Sequence, residues 1–288
     1  MQLPKKNINN TDFKESCLTH RALQRMARQV RRKTMDIIFK TGSPHIGSSF
    51  SIVEILTVLY FRILSINRRD REKTDRDRFI LSKGHACPAL YVTLFFRGLM
   101  TQESLDGFAV DQGSLDHHPT KNLSSGIELS TGSLGHGLSV ACGMAFSAKY
   151  DRSPARIFVL MGDGELNEGS NWEAILFAAH WKLDNLVAII DYNRIQALGR
   201  TEEILDLDPL PDKWHSFGWE VAVVDGHNID ELVETLEKVP LTVGKPTVII
   251  ANTTKGKGIC FMENDLLWHY RCPDDEEYAK ATCELNEL

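Results

Sequence analysis

Asp163 stands between two glycines, Gly162 and Gly164, at the end of an apolar run of strand length, Ile157-Phe-Val-Leu-Met161. A second apolar run, Leu186-Val-Ala-Ile-Ile190, leads through Asp191 and Tyr192 to Asn193, with 28 residues between Gly164 and that asparagine. A carboxylate flanked by glycines lets a ligand come close, because neither neighbour carries a Cβ. The helix-like segment that follows would offer free N–H groups to a phosphate. Asn193 adds an amide oxygen, and the Ile195 carbonyl is well placed to add another. With two diphosphate oxygens these make a hard, octahedral site suited to Mg2+. Such a metal neutralises the diphosphate itself, so no P-loop lysine is required. The sequence holds neither Gly-x-x-x-x-Gly-Lys-Ser/Thr nor Gly-x-Gly-x-x-Gly, which counts against a dinucleotide site.

Four histidines, His45, His85, His118 and His269, sit in or beside expected loops rather than on apolar helix faces. A lone loop histidine is usually just exposed. Several on one rim suit proton transfer near neutral pH to hydroxyl and carbonyl oxygens.

The elements that must position these groups alternate. Helical spacing of Leu18, Ala22, Met26, Val30, Ile37 and Ile38 predicts a helix over residues 15–39. Its many arginines (Arg21, Arg25, Arg28, Arg31, Arg32) read as the solvated face of a packed helix rather than a membrane or nucleic-acid surface. A buried helix is expected over 52–64, an exposed charged connection over 68–78, a strand at 79–81 and a helix over 88–96. Residues 101–130 read as a long loop, which inside a compact domain is usually functional. Helices are expected over 138–149, 171–181 and 229–239, strands at 220–225 and 247–251, and irregular chain over 200–218, where Pro209 and Pro211 fall. Apolar strands alternating with helices predict an α/β fold, a doubly wound and mostly parallel sheet with helices on both faces. Ligands of such sheets sit beyond the carboxyl ends of the strands. The glycine-rich turns at 82–86, 162–164, 193–199 and 252–258 lie at those ends. The expected organisation is a loose arm (1–13), one α/β domain (14–272) and an acidic tail (273–288) that reads as a short surface helix.

Composition excludes little beyond the unusual classes. The chain has 288 residues, of which 42% are hydrophobic and 25% charged, and a formal net charge of -6. This disfavours nucleic acid as a main partner. No apolar run approaches the ~18–20 residues of a membrane span, and the N-terminus lacks the apolar core of a secretory signal. Six scattered cysteines without a Cys-x-x-Cys pair are expected to be reduced thiols, which points to the cytoplasm.

Several segments together resemble the transketolase family of thiamine diphosphate enzymes: Ser82-Lys-Gly-His85-Ala, Thr131-Gly-Ser-Leu-Gly-His-Gly137, Gly162-Asp-Gly-Glu-Leu-Asn-Glu-Gly169, Asp191-Tyr-Asn-Arg-Ile-Gln196, and Lys255-Gly-Lys-Gly-Ile on to Trp268-His269. The resemblance runs from about residue 20 to 270. It implies the diphosphate-binding domain of that fold. Asp163, Asn193 and Ile195 correspond to metal ligands for Mg2+, with Ca2+ or Mn2+ as substitutes. His85, Gly132, Ser133, Leu134, Gly162, Asp163, Gly164, Glu165, Asn193 and Ile195 correspond to contacts of thiamine diphosphate. His45, His85, His118 and His269 correspond to the substrate channel, and Glu168 to a buried glutamate at the subunit interface. Ser43-Pro44-His45 and Asp116-His117-His118 depart from the commoner glycine-histidine forms, and Tyr270 stands where a glycine often follows. Single-chain members are more than twice as long. The resemblance therefore implies the N-terminal subunit of a split transketolase, without turnover alone. A C-terminal subunit would carry the pyrimidine-binding domain and the activating glutamate, in an α2β2 heterotetramer acting on sugars or sugar phosphates. The alternatives are the α subunit of a 2-oxo acid dehydrogenase and a regulatory module that has kept the fold.

Overall fold

The computed structural model describes residues 18–66 and 73–287. The expected arm, Cys17, the first residues of the expected helix and part of the charged stretch 68–78 lie outside the described residues.

Five parallel strands form one sheet in the order β1-β2-β3-β5-β4: β1 Arg78–Leu81, β2 Ile157–Gly162, β3 Leu186–Tyr192, β4 Glu220–Asp225 and β5 Thr247–Asn252. β3 is buried along its whole length, as a central parallel strand covered on both faces must be. Because side chains alternate along a strand, each strand feeds two cores. Phe158, Leu160, Val187, Ile189 and Ile249 enter the core under α1 (His20–Thr41), α3 (Val53–Val58), α4 (Cys87–Phe96) and α10 (Ile229–Glu237). Ile157, Val159, Met161, Ala188, Ile190 and Val248 enter the core under α6 (Gly137–Tyr150), α7 (Gly169–His180) and α9 (Leu210–Ser216). The doubly wound sheet expected from the sequence is therefore the one observed.

Local details differ from the expectations. The first helix is capped at Thr19 and stops at Gly42, whose φ of 63° takes the left-handed cap conformation that glycine adopts without a Cβ clash. The helix expected over 52–64 divides into α3 and a π-turn, Leu59–Ile63, preceded by α2 (Ile46–Phe50). The long loop contains a short helix, α5 (Gln102–Asp106). The stretch 200–218 is not irregular: it forms α8 (Thr201–Ile204) and α9. Pro211 lies in the first turn of α9, where a missing N–H breaks no helical bond, and Trp214 is fully buried. The acidic C-terminal segment is the expected helix, α11 (Asp275–Glu287), but it is not only a surface element: Ala281 and Leu285 enter the core and Tyr278 stacks on Phe39 of α1 at 4.0 Å. Among the described residues, no helix is long and apolar enough to cross a membrane.

Candidate functional site

Register brings the carboxyl ends of β1, β2, β3 and β5 to one edge, with Gly162 beside Asp191 and Tyr192 beside Asn252. The chain leaves β2 through Asp163, whose carboxylate accepts from the Gly164 N–H at 2.7 Å and from the Arg194 N–H at 2.5 Å. Asp163 is 3% exposed, and among the described residues no lysine or arginine pairs with it. Burial, and then the neighbouring Asp191 charge, pushes its pKa up to about 6 against the pull of those N–H bonds. Asn193 donates to Asp191 at 3.0 Å, and its own side-chain oxygen accepts from the Ile195 N–H at 3.1 Å. The Ile195 carbonyl accepts from Lys255 Nζ at 3.1 Å, which leaves it one lone pair.

Two lysines are buried beneath this edge, Lys83 and Lys255, each 1% exposed. Lys83 pairs with Asp191, which is 0% exposed and also accepts from Ser51 and Thr253. Burial alone would raise the Asp191 carboxyl. The Lys83 ammonium and the hydrogen bonds outweigh it and hold the group below its ordinary value. Lys255 lies against His269, with 2.8 Å from Nζ to Nδ1, and burial followed by repulsion from Lys83 lowers its pKa to about 8. Glu165, also buried, ties three loops together by accepting from Ser82, from Gly135 N–H at 3.0 Å and from Gly162 N–H at 3.2 Å.

Three imidazoles meet across the edge. His45 lies 5.1 Å from both His85 and His269, and His85 lies 5.8 Å from His269, centroid to centroid. His45 occupies the left-handed region at φ 69°, at the start of α2, and its N–H donates to the His269 carbonyl at 3.1 Å. Burial first, and then the cationic and imidazole neighbours, lowers His45 to about 4 and His269 to about 3, with His85 also well below the ordinary 6.5. All three are therefore neutral at pH 7. His118 is more exposed and is lowered by burial and then by His117.

The cleft between these groups holds about 290 Å³. His45, His85, His118, His269, Gly132, Leu134, Gly162, Asp163, Gly164, Glu165, Asn193 and Ile195 all line it. Ser133 and Glu168 do not; both are exposed on this chain, Glu168 at the start of α7 against Gly135. Lys83, Asp191 and Lys255 have no role assigned by the sequence pattern. Both lysines sit inside the quoted motifs, yet lysine is almost always an exposed residue, and nothing in the pattern marks these as buried.

The residues fit a divalent cation shared with a diphosphate. Asp163 is a buried carboxylate with no ion-pair partner of its own among the described residues. A Cβ on Gly162 would meet only Lys83 Cβ, at an ordinary contact distance of 3.9 Å, so the backbone there is not crowded. His45 and Gln196 line the cleft, and His45 Nδ1 and Gln196 Nε2 are buried atoms with no hydrogen-bond partner among the described residues, which folded proteins rarely tolerate. Among the described residues no three His, Cys, Asp or Glu side chains could hold a metal by themselves, so further ligands would have to come from the bound molecule.

Comparison with known proteins identifies the family. Residues 22–284 match the family described as transketolase, thiamine diphosphate binding domain. The chain is 45% identical over 273 residues to an apulose-4-phosphate transketolase subunit from Actinobacillus succinogenes, covering 94% of this chain and 98% of that one. It is 43% identical over 265 residues to the 6-deoxy-6-sulfo-D-fructose transketolase subunit SqwG of a Clostridium species, covering 92% and 96%. The transketolase structure from Campylobacter jejuni superposes with a TM-score of 0.86 at 30% identity, covering 93% of this chain but 43% of that one. The chain thus spans less than half of the solved transketolase it resembles, and nearly all of the relatives named as subunits. By family match, identity and fold, this chain belongs to the transketolase family, in its thiamine diphosphate binding domain.

Proposed function

We propose that this chain is the N-terminal subunit of a heteromeric transketolase. With a C-terminal partner it would transfer a two-carbon ketol unit from a ketose, or ketose phosphate, to an aldose. One observation carries the reading. A buried carboxylate with no ion-pair partner among the described residues and three neutral imidazoles share one strand-end cleft, in a chain whose equally long relatives are named as transketolase subunits.

Asp163, Asn193 and the Ile195 carbonyl would hold Mg2+, or Ca2+ or Mn2+ in its place. Thiamine diphosphate, when bound, supplies the electron sink that ketol transfer requires. His85, Gly132, Ser133, Leu134, Gly162, Gly164 and Glu165 would shape its seat. Lys255 donates to His269 Nδ1, so the single proton of that neutral ring lies on Nε2 and His269 is a donor. His45 lines the same cleft and keeps a buried Nδ1 with no partner among the described residues. Neutral imidazoles of this kind can accept and return protons on sugar oxygens, with His118 at the rim.

The partner would bring the pyrimidine-binding domain and its glutamate, in an α2β2 assembly in the cytoplasm. Glu168, the exposed Phe146 and Tyr150 of α6, Phe177 of α7 and Trp181 just after it support this, because they offer a face that a second chain would cover. The names of the relatives favour phosphorylated or sulfonated sugars as substrates. The test is a ketol-transfer assay of the purified chain with thiamine diphosphate and Mg2+, with and without the partner. Turnover is expected only from the pair. Appreciable turnover by this chain alone would overturn the split-site reading, and no turnover by the pair would leave the regulatory alternative.

A further inference from the structure

Arg31 is not on the solvated face that the sequence suggests. It is 4% exposed, and its Nη2 reaches both oxygens of Glu54 at 2.7 and 2.8 Å. Glu54 in turn receives His227, with 3.0 Å between Nδ1 and Oε2. On the far side of that ring, the Thr254 N–H donates to Nε2 at 2.8 Å. Nε2 must therefore be bare, so the ring proton lies on Nδ1 and points at Glu54. Burial works against the Glu54 carboxylate, but Arg31 and His227 hold its pKa down to about 2. The row is thus an ion pair that fixes one imidazole tautomer, which in turn offers one acceptor to one backbone amide.

That amide immediately precedes Lys255. The loop is held on three sides: Thr253 by Asp191, Thr254 by His227, and Gly256 N–H by the Gly47 carbonyl at 3.0 Å. A Cβ on Gly47 would come within 3.1 Å of Lys255 Cγ, so the lysine stem has little lateral freedom. From this anchor Nζ reaches His269 and the Ile195 carbonyl together.

We propose that His227, braced by Glu54 and Arg31, is a positioning residue for Lys255, fixing the strand-end loop so that this lysine selects the His269 tautomer that faces the cleft. Its consequence for catalysis rests on the function proposed above. Two near-isosteric changes separate this from simple packing. In His227→Gln the amide oxygen reaches the Nε2 position and can still accept from Thr254. In His227→Asn the side chain reaches only the Nδ1 position, which serves Glu54 and abandons Thr254.

Nitrogen NMR of the labelled full chain should show His269 with its proton on Nε2 and a slowly exchanging Thr254 amide in both the wild type and His227→Gln. His227→Asn should show mixed His269 tautomers and fast exchange at Thr254. Its affinity for thiamine diphosphate with Mg2+ should be about 10- to 100-fold weaker, the range for supporting groups around a metal site. Asn behaving as wild type, or Gln being as disturbed as Asn, would overturn the proposal. Should the Asn variant not fold, two measurements still decide it. The wild type must show scalar coupling across the Thr254 N–H to His227 Nε2 bond, and Lys255→Met must reproduce the mixed His269 tautomers. Failure of either counts against the relay. Absence of thiamine diphosphate binding by the wild type would overturn the proposed function, while the tautomer and exchange data would still judge the relay.

Discussion

Replacing Lys83 with methionine isolates one fully buried ion pair at the strand ends. Lys83 and Asp191 are 1% and 0% exposed, so water screens neither. The substitution removes the ammonium and leaves the carboxylate with neutral donors only, Ser51, Thr253 and Asn193. Breaking one side of a buried pair costs about 3–5 kcal/mol, because an uncompensated charge stays behind. For a chain of this size, each kcal/mol moves Tm by roughly 2–4 °C, so a fall of roughly 10 °C is expected. The pH dependence gives a sharper signature. In the wild type the Asp191 carboxyl is held below 3.8, so its contribution is complete above the unfolded value and fades as the pH falls through the folded one. Without Lys83, burial wins and the carboxyl protonates at higher pH. The difference in stability between wild type and Lys83→Met should therefore be largest at neutral pH and shrink toward about pH 4. Urea unfolding followed by circular dichroism at several pH values measures it. A loss under about 1 kcal/mol, as for an exposed pair, or a loss independent of pH, would refute the reasoning.

The histidine cluster sets a second pH dependence, with the sign of a buried base. His45 and His269 are lowered from 6.5 to about 4 and about 3, so below 6.5 the unfolded chain takes up protons that the folded chain refuses. Stability should fall as the pH drops from 6.5 toward 4; a flat profile in that window would contradict the neutral assignment. Gly132→Ala places a Cβ 2.8 Å from His118 Cδ2 at a φ of 140°, and should cost about 1–3 kcal/mol of stability. It should also move the ring-proton signals of His118 in NMR spectra, and unchanged spectra with unchanged stability would argue against the packing described.

The strands and the cleft were legible for the same reason: β2, β3 and β5 are apolar on both faces, and the glycine-rich segments that follow them have few conformations open to them except turns. Asp163, Asn193 and the histidines could be read because carboxylate, amide and imidazole in such turns have few structural uses. Lys83, Lys255 and Arg31 could not, since burial of a long cation depends on an acceptor far away in sequence: Asp191 for Lys83, Glu54 for Arg31, the Ile195 carbonyl for Lys255. His227 was silent as well. It serves the site through the backbone of Thr254, and no side-chain motif records that contact. Prolines misled over 200–218, because Pro211 falls in a first helical turn, where the ring is tolerated. The tertiary contacts of α11 with α1 were likewise not visible in an acidic segment with few apolar residues.

Calorimetry of the full chain with thiamine diphosphate tests the central claim most directly, comparing wild type with Asp163→Ala in the presence and absence of Mg2+. Binding should require the metal and should be abolished by the substitution, with the fold intact by circular dichroism. Metal-independent binding, or unchanged affinity in Asp163→Ala, would contradict the assignment of the strand-end cleft as the metal–diphosphate site.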